Sequence, residues 1–99
     1  MTYAVFNGGA VIPVELARKA TEENVRRYVE DELNGALKQC SIRKVEITSL
    51  PDETRDWPDV RFELEGPDEA TLLREFRDYY DWFLEPNDIK EFCLESIRE

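Results

Sequence analysis

The stretch that decides the fold runs from Asp68 to Glu85 and reads Asp-Glu-Ala-Thr-Leu-Leu-Arg-Glu-Phe-Arg-Asp-Tyr-Tyr-Asp-Trp-Phe-Leu-Glu. Apolar side chains recur in it every three or four residues, so one helix face carries Leu72, Leu73, Phe76, Tyr79, Tyr80 and Phe83. Asp68 is a favourable N-cap, and Pro86 ends the pattern. Burying one large apolar side chain contributes roughly 1.5–3 kcal/mol, so this helix is predicted to be the largest block of the core.

The N-terminal segment is predicted to be extended. Residues 2–6 read as a strand, and a second apolar run follows at residues 10–12. Asn7-Gly8 between two apolar runs is typical of a hairpin turn, because both residues accept a positive φ. The segment is therefore either a hairpin or one strand, and Pro13 after it favours the first position of a helix.

Residues 21–37 show a helical pattern whose outer face pairs acids with bases at i, i+4, as in Glu22 with Arg26. This helix either starts at Thr21 or continues from Pro13, and it is expected to end near Gln39. The paired charges argue against a nucleic-acid patch on this face.

Residues 42–50 and 60–65 alternate polar and apolar side chains, which predicts two half-buried strands joined as an antiparallel hairpin. A last strand is predicted within residues 89–97. The order strand, helix, strand, strand, helix, strand predicts an α+β, two-layer ferredoxin-like (βαββαβ) domain spanning residues 1–99, with two helices on one face of an antiparallel sheet.

The composition excludes several classes of protein. No apolar run is long enough to span a membrane, and the N-terminus lacks the pattern of a signal peptide. The two cysteines, Cys40 and Cys93, fit buried thiols in a reducing cytoplasm, although a disulfide between them remains open. A cytoplasmic location is therefore expected.

The charge is distributed unevenly along the chain. Residues 1–50 carry seven acids and seven bases, whereas residues 51–99 carry sixteen acids and six bases and account for the whole net charge of −10. An acidic surface disfavours direct binding to nucleic acid or to an anionic membrane. It favours a basic protein partner, including one that itself binds nucleic acid, although adaptation to salt or solubility also yields acidic chains.

Catalytic chemistry has little support in the sequence. The chain has no histidine, which removes the commonest general base and metal ligand. Acids crowd the loop between the two central strands, but Asp52, Glu53, Asp56 and Asp59 do not follow the spacing of an EF-hand. We therefore expect no enzymatic activity, no cofactor and no metal site.

The strongest candidate for recognition lies on the central helix. Trp82 falls to one side of the apolar stripe, and the carboxylates that surround it at helical spacing are Glu75, Asp78, Asp81 and Glu85. Trp57 and Asp56 repeat this combination in the acidic hairpin loop. A large aromatic side chain flanked by charge is typical of a binding hot spot, although the alternative for both tryptophans is burial in the core.

These observations predict a non-enzymatic acidic protein-binding module, of the inhibitor, immunity-protein or DNA-mimic type, that occupies a basic surface of a partner protein. The alternatives are a regulatory domain that binds a small ligand or divalent cation, and an acidic structural homo-oligomer such as a homodimer. The cation alternative would use the Asp52 to Asp59 loop, and the ligand alternative would use that loop or the Asn7-Gly8-Gly9 segment.

Overall fold

A computed structural model gives the structure of the protein for residues 1–77 and 94–99. In chain order the elements are β1 (Thr2–Gly9), α1 (Val14–Arg18), α2 (Glu22–Ala36), β2 (Ser41–Ser49), β3 (Asp59–Gly66), α3 (Glu69–Arg77) and β4 (Leu94–Arg98). The strands form one sheet in the order β2-β3-β1-β4, and every neighbouring pair is antiparallel. The predicted α+β class and the antiparallel β2–β3 hairpin are confirmed. The described elements include three helices where two were predicted.

The N-terminal segment is one strand and not a hairpin. β1 pairs with β3 along its whole length, from Thr2 opposite Gly66 to Gly9 opposite Asp59. Asn7 and Gly8 therefore continue the strand, because β3 supplies backbone partners for both of them. A turn at this point would have left that part of β3 unpaired.

The additional helix results from a cap at Thr21. The Thr21 hydroxyl accepts a hydrogen bond from the Asn24 backbone N–H at 3.1 Å, and the Asn24 side chain accepts from the Thr21 N–H at 2.8 Å. This reciprocal capping box starts a new helix and separates α2 from the five-residue α1. α2 ends at Ala36, before the predicted position near Gln39.

The central helix α3 begins as predicted, with the Asp68 carboxylate accepting from the Thr71 N–H at 2.7 Å. Leu72 and Phe76 are fully buried, and Leu73 packs against the core. The predicted stripe residues Tyr79, Tyr80 and Phe83 lie outside the described residues.

The core lies between the sheet and the helices, which contribute Val25, Val29 and Leu33 from α2 and Leu72 and Phe76 from α3. At its centre three aromatic rings from β1, β3 and α3 pack together. The ring centroid of Phe6 lies 5.5 Å from that of Phe62 and 4.1 Å from that of Phe76. Inward-facing residues of β3 alternate strictly with outward-facing ones. No helix of the described residues covers the opposite face of the sheet, which we call the open face.

Within the parts of the chain that the structure describes, no helix has the length and apolar character needed to cross a membrane.

Candidate functional site

The acidic loop between β2 and β3 is a defined turn. Asp52 and Arg55 exchange backbone hydrogen bonds at 3.0 and 3.4 Å. The Asp52 carboxylate also accepts from the Thr54 hydroxyl at 2.6 Å and from its N–H at 2.7 Å. The Thr54 hydroxyl and N–H hold the pKa of Asp52 below its usual value. The loop therefore presents its side chains from an ordered backbone.

Arg55 ties this turn to the sheet. Its guanidinium donates to the Asp59 carboxylate at 2.9 Å and to the Ser49 hydroxyl, and it lies 5.9 Å from the centre of the Trp57 ring. Arg55 thus balances the charge of Asp59 at the start of β3. Among the acids of the loop, Glu53 and Asp56 are exposed and form no ion pair with the described residues.

Two predicted site residues lie together on the surface of this turn. Asp56 is exposed, and Trp57 is 36% exposed, so the indole is partly packed and partly available. Glu53 is also exposed, and in the described part of the chain neither Glu53 nor Asp56 forms an ion pair. An aromatic side chain and solvated carboxylates thus lie together on this turn, and their role in binding a partner stays a prediction.

A groove of about 440 Å³ separates this turn from α1. We call it the α1 groove, and its lining is Val14, Ala17, Arg18, Pro51, Asp52, Glu53 and Asp56. Val14 is 61% exposed.

Glu75 occupies a different environment from the one predicted for it. Its side chain is buried, with 8% exposure, and its carboxylate accepts hydrogen bonds from three successive backbone N–H groups between α2 and β2. The distances are 3.0 Å from Lys38, 3.0 and 3.1 Å from Gln39, and 3.2 Å from Cys40. Glu75 therefore holds the α2–β2 connection and does not offer its charge to a partner.

The electrostatics of this buried group follow from its contacts. Burial raises the pKa of Glu75, but the N–H groups of Lys38, Gln39 and Cys40 outweigh burial and leave the pKa below its ordinary value. The neighbouring Cys40 is a free, buried thiol. Burial, followed by the charge of Glu75, raises the pKa of Cys40 to about 11.

The other predicted members of the helical site are Asp78, Asp81, Trp82 and Glu85, and they lie outside the described residues, as does Cys93. Their grouping around Trp82 stays a prediction.

The open face of the sheet carries a balanced set of charges. With Arg55 at its rim, it has five basic and five acidic side chains, which are Arg43, Lys44, Arg55, Arg61, Arg98, Glu46, Asp59, Glu63, Glu65 and Glu95. Arg61 forms a two-pronged pair with Glu95, at 2.7 and 3.3 Å. Lys44 pairs with Glu46 at 2.6 Å. This face therefore contributes nothing to the net charge of −10.

Tyr3 lies on the same open face between two cations. The Arg43 guanidinium lies 4.6 Å from the centre of the Tyr3 ring, and that of Arg98 lies 5.0 Å from it. Nucleobases bind protein sheets by stacking on exposed aromatic rings. Here the ring is already engaged by guanidinium groups.

A second depression, of about 430 Å³, lies at the end of this face beside Asn7 and Gly8. Its polar side chains bind one another, since Glu95 accepts from Asn7 at 3.3 Å and from Arg61, while Asp59 accepts from Arg55. Across residues 1–77 and 94–99, no group of three or more carboxylate or thiol side chains is placed to hold a metal ion.

Comparison of the chain with protein-family models, with curated proteins and with solved structures finds no match.

Proposed function

We propose that this protein is a non-enzymatic binding module that occupies a basic surface of a partner protein, in the manner of an inhibitor, an immunity protein or a DNA mimic. Its acidic surface attracts the partner, and its exposed aromatic side chain supplies contact area at the interface.

The observation that carries this proposal is the distribution of charge over the fold. Because the ten charges of the open sheet face and its rim sum to zero, the described residues away from that face carry a net charge of −6. A concentrated field of one sign accelerates encounter with an oppositely charged protein. Acidity required only for solubility would not need one large face of the molecule to be neutral.

Trp57 and Asp56 are the described residues best suited to contact the partner. The turn that holds them is ordered before binding, because Asp52 and Arg55 lock its backbone and Arg55 anchors it to the sheet. Preorganisation lowers the entropy lost on association. The predicted residues Asp78, Asp81, Trp82 and Glu85 extend this surface in the proposal, whereas the buried Glu75 supports the fold.

We also propose that the topology is ferredoxin-like, with α1 as an addition to it. The antiparallel order β2-β3-β1-β4 supports this, since each helical connection leads to a strand two positions away in the sheet. A cytoplasmic location is proposed on the basis of the free thiol of Cys40.

Direct binding to nucleic acid is not part of the proposed function. The sheet face that would serve a single strand has no net positive charge, and Tyr3 is covered by Arg43 and Arg98. Counterion release from phosphates, the main source of such affinity, requires a cationic surface.

The test is affinity capture from a lysate of the native host at low salt, comparing wild type with the Asp78→Arg, Glu85→Arg variant and with Asp56→Arg. We expect a basic protein to be retained by wild type and lost from the variants, with far-UV circular dichroism unchanged. A control variant, Arg43→Glu, adds negative charge to the neutral sheet face and should retain the partner. Equal retention by all four proteins would contradict the proposal.

The homo-oligomer alternative finds less support in the sheet edges. The edge strand β2 has register shifts between Ile42 and Lys44 and between Ile47 and Ser49, and the opposite edge strand β4 has one where it meets β1. Bulges of this kind protect an edge from pairing with another chain. A sedimentation profile that stays monomeric at high concentration is the expected result.

A further inference from the structure

We propose that the α1 groove binds an arginine- or lysine-bearing segment of the partner protein, with the aliphatic part of the basic side chain on α1 and its charged head at the acidic turn. This inference rests on the proposed function and names the chemistry that one part of the surface recognises.

The apolar wall of the groove comes from Val14 and Ala17 on α1 and from Pro51 at the start of the turn. The groove has a volume of about 440 Å³ and is open to solvent, so a side chain can lie along it. Val14 is 61% exposed and contributes little to the core in this position. Basic side chains commonly lay their methylene groups on such apolar surface while the charged head stays solvated.

The acidic wall of the groove is its lining from the turn. Glu53 and Asp56 line it without an ion pair in the described part of the chain, so their charge is available to a cation. Asp52 lines the same wall, and its carboxylate is held in place by Thr54. These three carboxylates outnumber the one basic side chain of the groove, Arg18, so the potential inside it favours a cation and rejects an anion.

The two walls together select a side chain that is both long and cationic. A purely apolar segment would bury Glu53 and Asp56 without pairing their charges, which is unfavourable. A small inorganic cation would leave Val14 and Ala17 without contact. Trp57, next to Asp56 and 36% exposed, offers further contact area to the residues that flank the basic side chain.

The direct test is a titration of the ¹⁵N-labelled full chain with the peptide acetyl-Leu-Arg-Leu-amide at low salt. We expect amide shifts that saturate at Val14, Ala17, Glu53 and Asp56 and that weaken as salt is added. The same peptide with neutral citrulline in place of arginine should bind about tenfold more weakly, since it retains shape and loses charge. Equal shifts with both peptides, or shifts confined to other surfaces, would overturn the inference.

Matched variants distinguish binding in the groove from a general effect of the net charge. Glu53→Gln with Asp56→Asn removes two charges from the groove. It should lower the affinity for the arginine peptide by about fivefold or more, because each exposed ion pair with the arginine contributes modestly. Glu22→Gln with Glu32→Gln removes two charges from the exposed face of α2 and should leave the affinity unchanged. An equal loss in both variants would show that only net charge matters and would overturn the inference. Val14→Ser should weaken binding of the arginine peptide several-fold without a change in circular dichroism.

The inference and the proposed function fail in different ways. If a basic protein is captured equally by wild type and by the Glu53→Gln, Asp56→Asn variant, the groove inference is overturned and the proposed function stands. If the arginine peptide binds in the groove while no basic protein is captured by wild type, the groove is supported and the proposed function is contradicted.

Discussion

Truncation of Glu75 to alanine is expected to destabilise the protein strongly, although the residue is an acid in a chain that already carries excess negative charge. Its carboxylate is the shared acceptor for the N–H groups of Lys38, Gln39 and Cys40, at 3.0 to 3.2 Å. These three donors belong to the connection that leads from α2 into β2. Without the carboxylate the connection loses its anchor on α3.

The magnitude follows from the three donors. A hydrogen bond to a charged acceptor contributes about 1.5–3 kcal/mol, and a buried donor left without a partner costs about 1–3 kcal/mol. The bond to Cys40 is buried, whereas those to Lys38 and Gln39 are only partly buried, so water can replace part of what they lose. We therefore expect Glu75→Ala to lower the free energy of unfolding by about 3 kcal/mol. For a domain of this size each kcal/mol lowers Tm by about 4–8 °C.

Glu75→Gln tests the role of the charge separately from that of the side-chain volume. The amide keeps one acceptor oxygen and places an NH₂ group among N–H donors, so a loss of about 1–2 kcal/mol is expected. The pKa of Glu75 is lowered in the folded protein, so its stabilisation is present above the pKa of the unfolded chain and is lost as pH falls through the folded pKa. The difference between wild type and Glu75→Gln should therefore be largest near neutral pH and should shrink in acid.

The assay is urea denaturation followed by far-UV circular dichroism at several pH values. Glu32→Ala is the matched control, because it removes the same charge from an exposed position of α2 and should change stability by less than about 0.5 kcal/mol. A loss below about 0.5 kcal/mol for Glu75→Ala would refute the anchoring role, given the energies of such bonds. If the free energy of unfolding of Glu75→Gln stays below that of wild type by the same amount from neutral to acid pH, the role of the charge is refuted.

Three further expectations concern other parts of the fold. Thr21→Ala should lower the free energy of unfolding by about 1 kcal/mol in urea denaturation, because it removes the cap that starts α2, and Thr21→Ser should restore most of the loss. Gly66→Ala should lower the free energy of unfolding by about 1–3 kcal/mol, because the added Cβ would lie 2.7 Å from the Cys40 sulfur and 2.9 Å from Leu72 Cγ. An unchanged Tm would show that the core rearranges to accept the methyl group. In a Cys93→Ser background, the Cys40 thiol should react with a maleimide at pH 7.5 far more slowly in the folded protein than in urea, because its pKa is about 11 and it is buried; equal rates would contradict this burial.

Local patterns in the sequence determined those helices and strands whose signals, such as periodicity and caps, lie within a few neighbouring residues. The stripe after Asp68 predicted the start of α3, and strict alternation predicted β3 and its hairpin with β2. The sequence also placed Asp56 and Trp57 in the loop between these two strands, and their role in binding a partner stays a prediction. These features depend on periodicity and turn chemistry, which act over short distances along the chain.

Tertiary structure decided the features that join distant residues. Asn7 and Gly8 left a hairpin and a single strand open, and the single strand forms because β3 offers partners across the sheet. Val14 lines a groove that also takes its lining from the turn at residues 51–56, a distant part of the sequence. A carboxylate is exposed by default, but Glu75 is buried because three N–H groups from residues 35 to 37 positions away converge on it.

The composition by itself determined the net charge of −10, whereas the sheet decided where that charge is absent. Pairs such as Arg61 with Glu95 join residues 34 positions apart in the sequence. Within the described part of the chain, their pairing neutralises one face, and the acid excess of that part lies elsewhere on its surface. Charge is a sum over residues and needs no fold, but a surface depends on which residues the backbone hydrogen bonds of the sheet bring side by side.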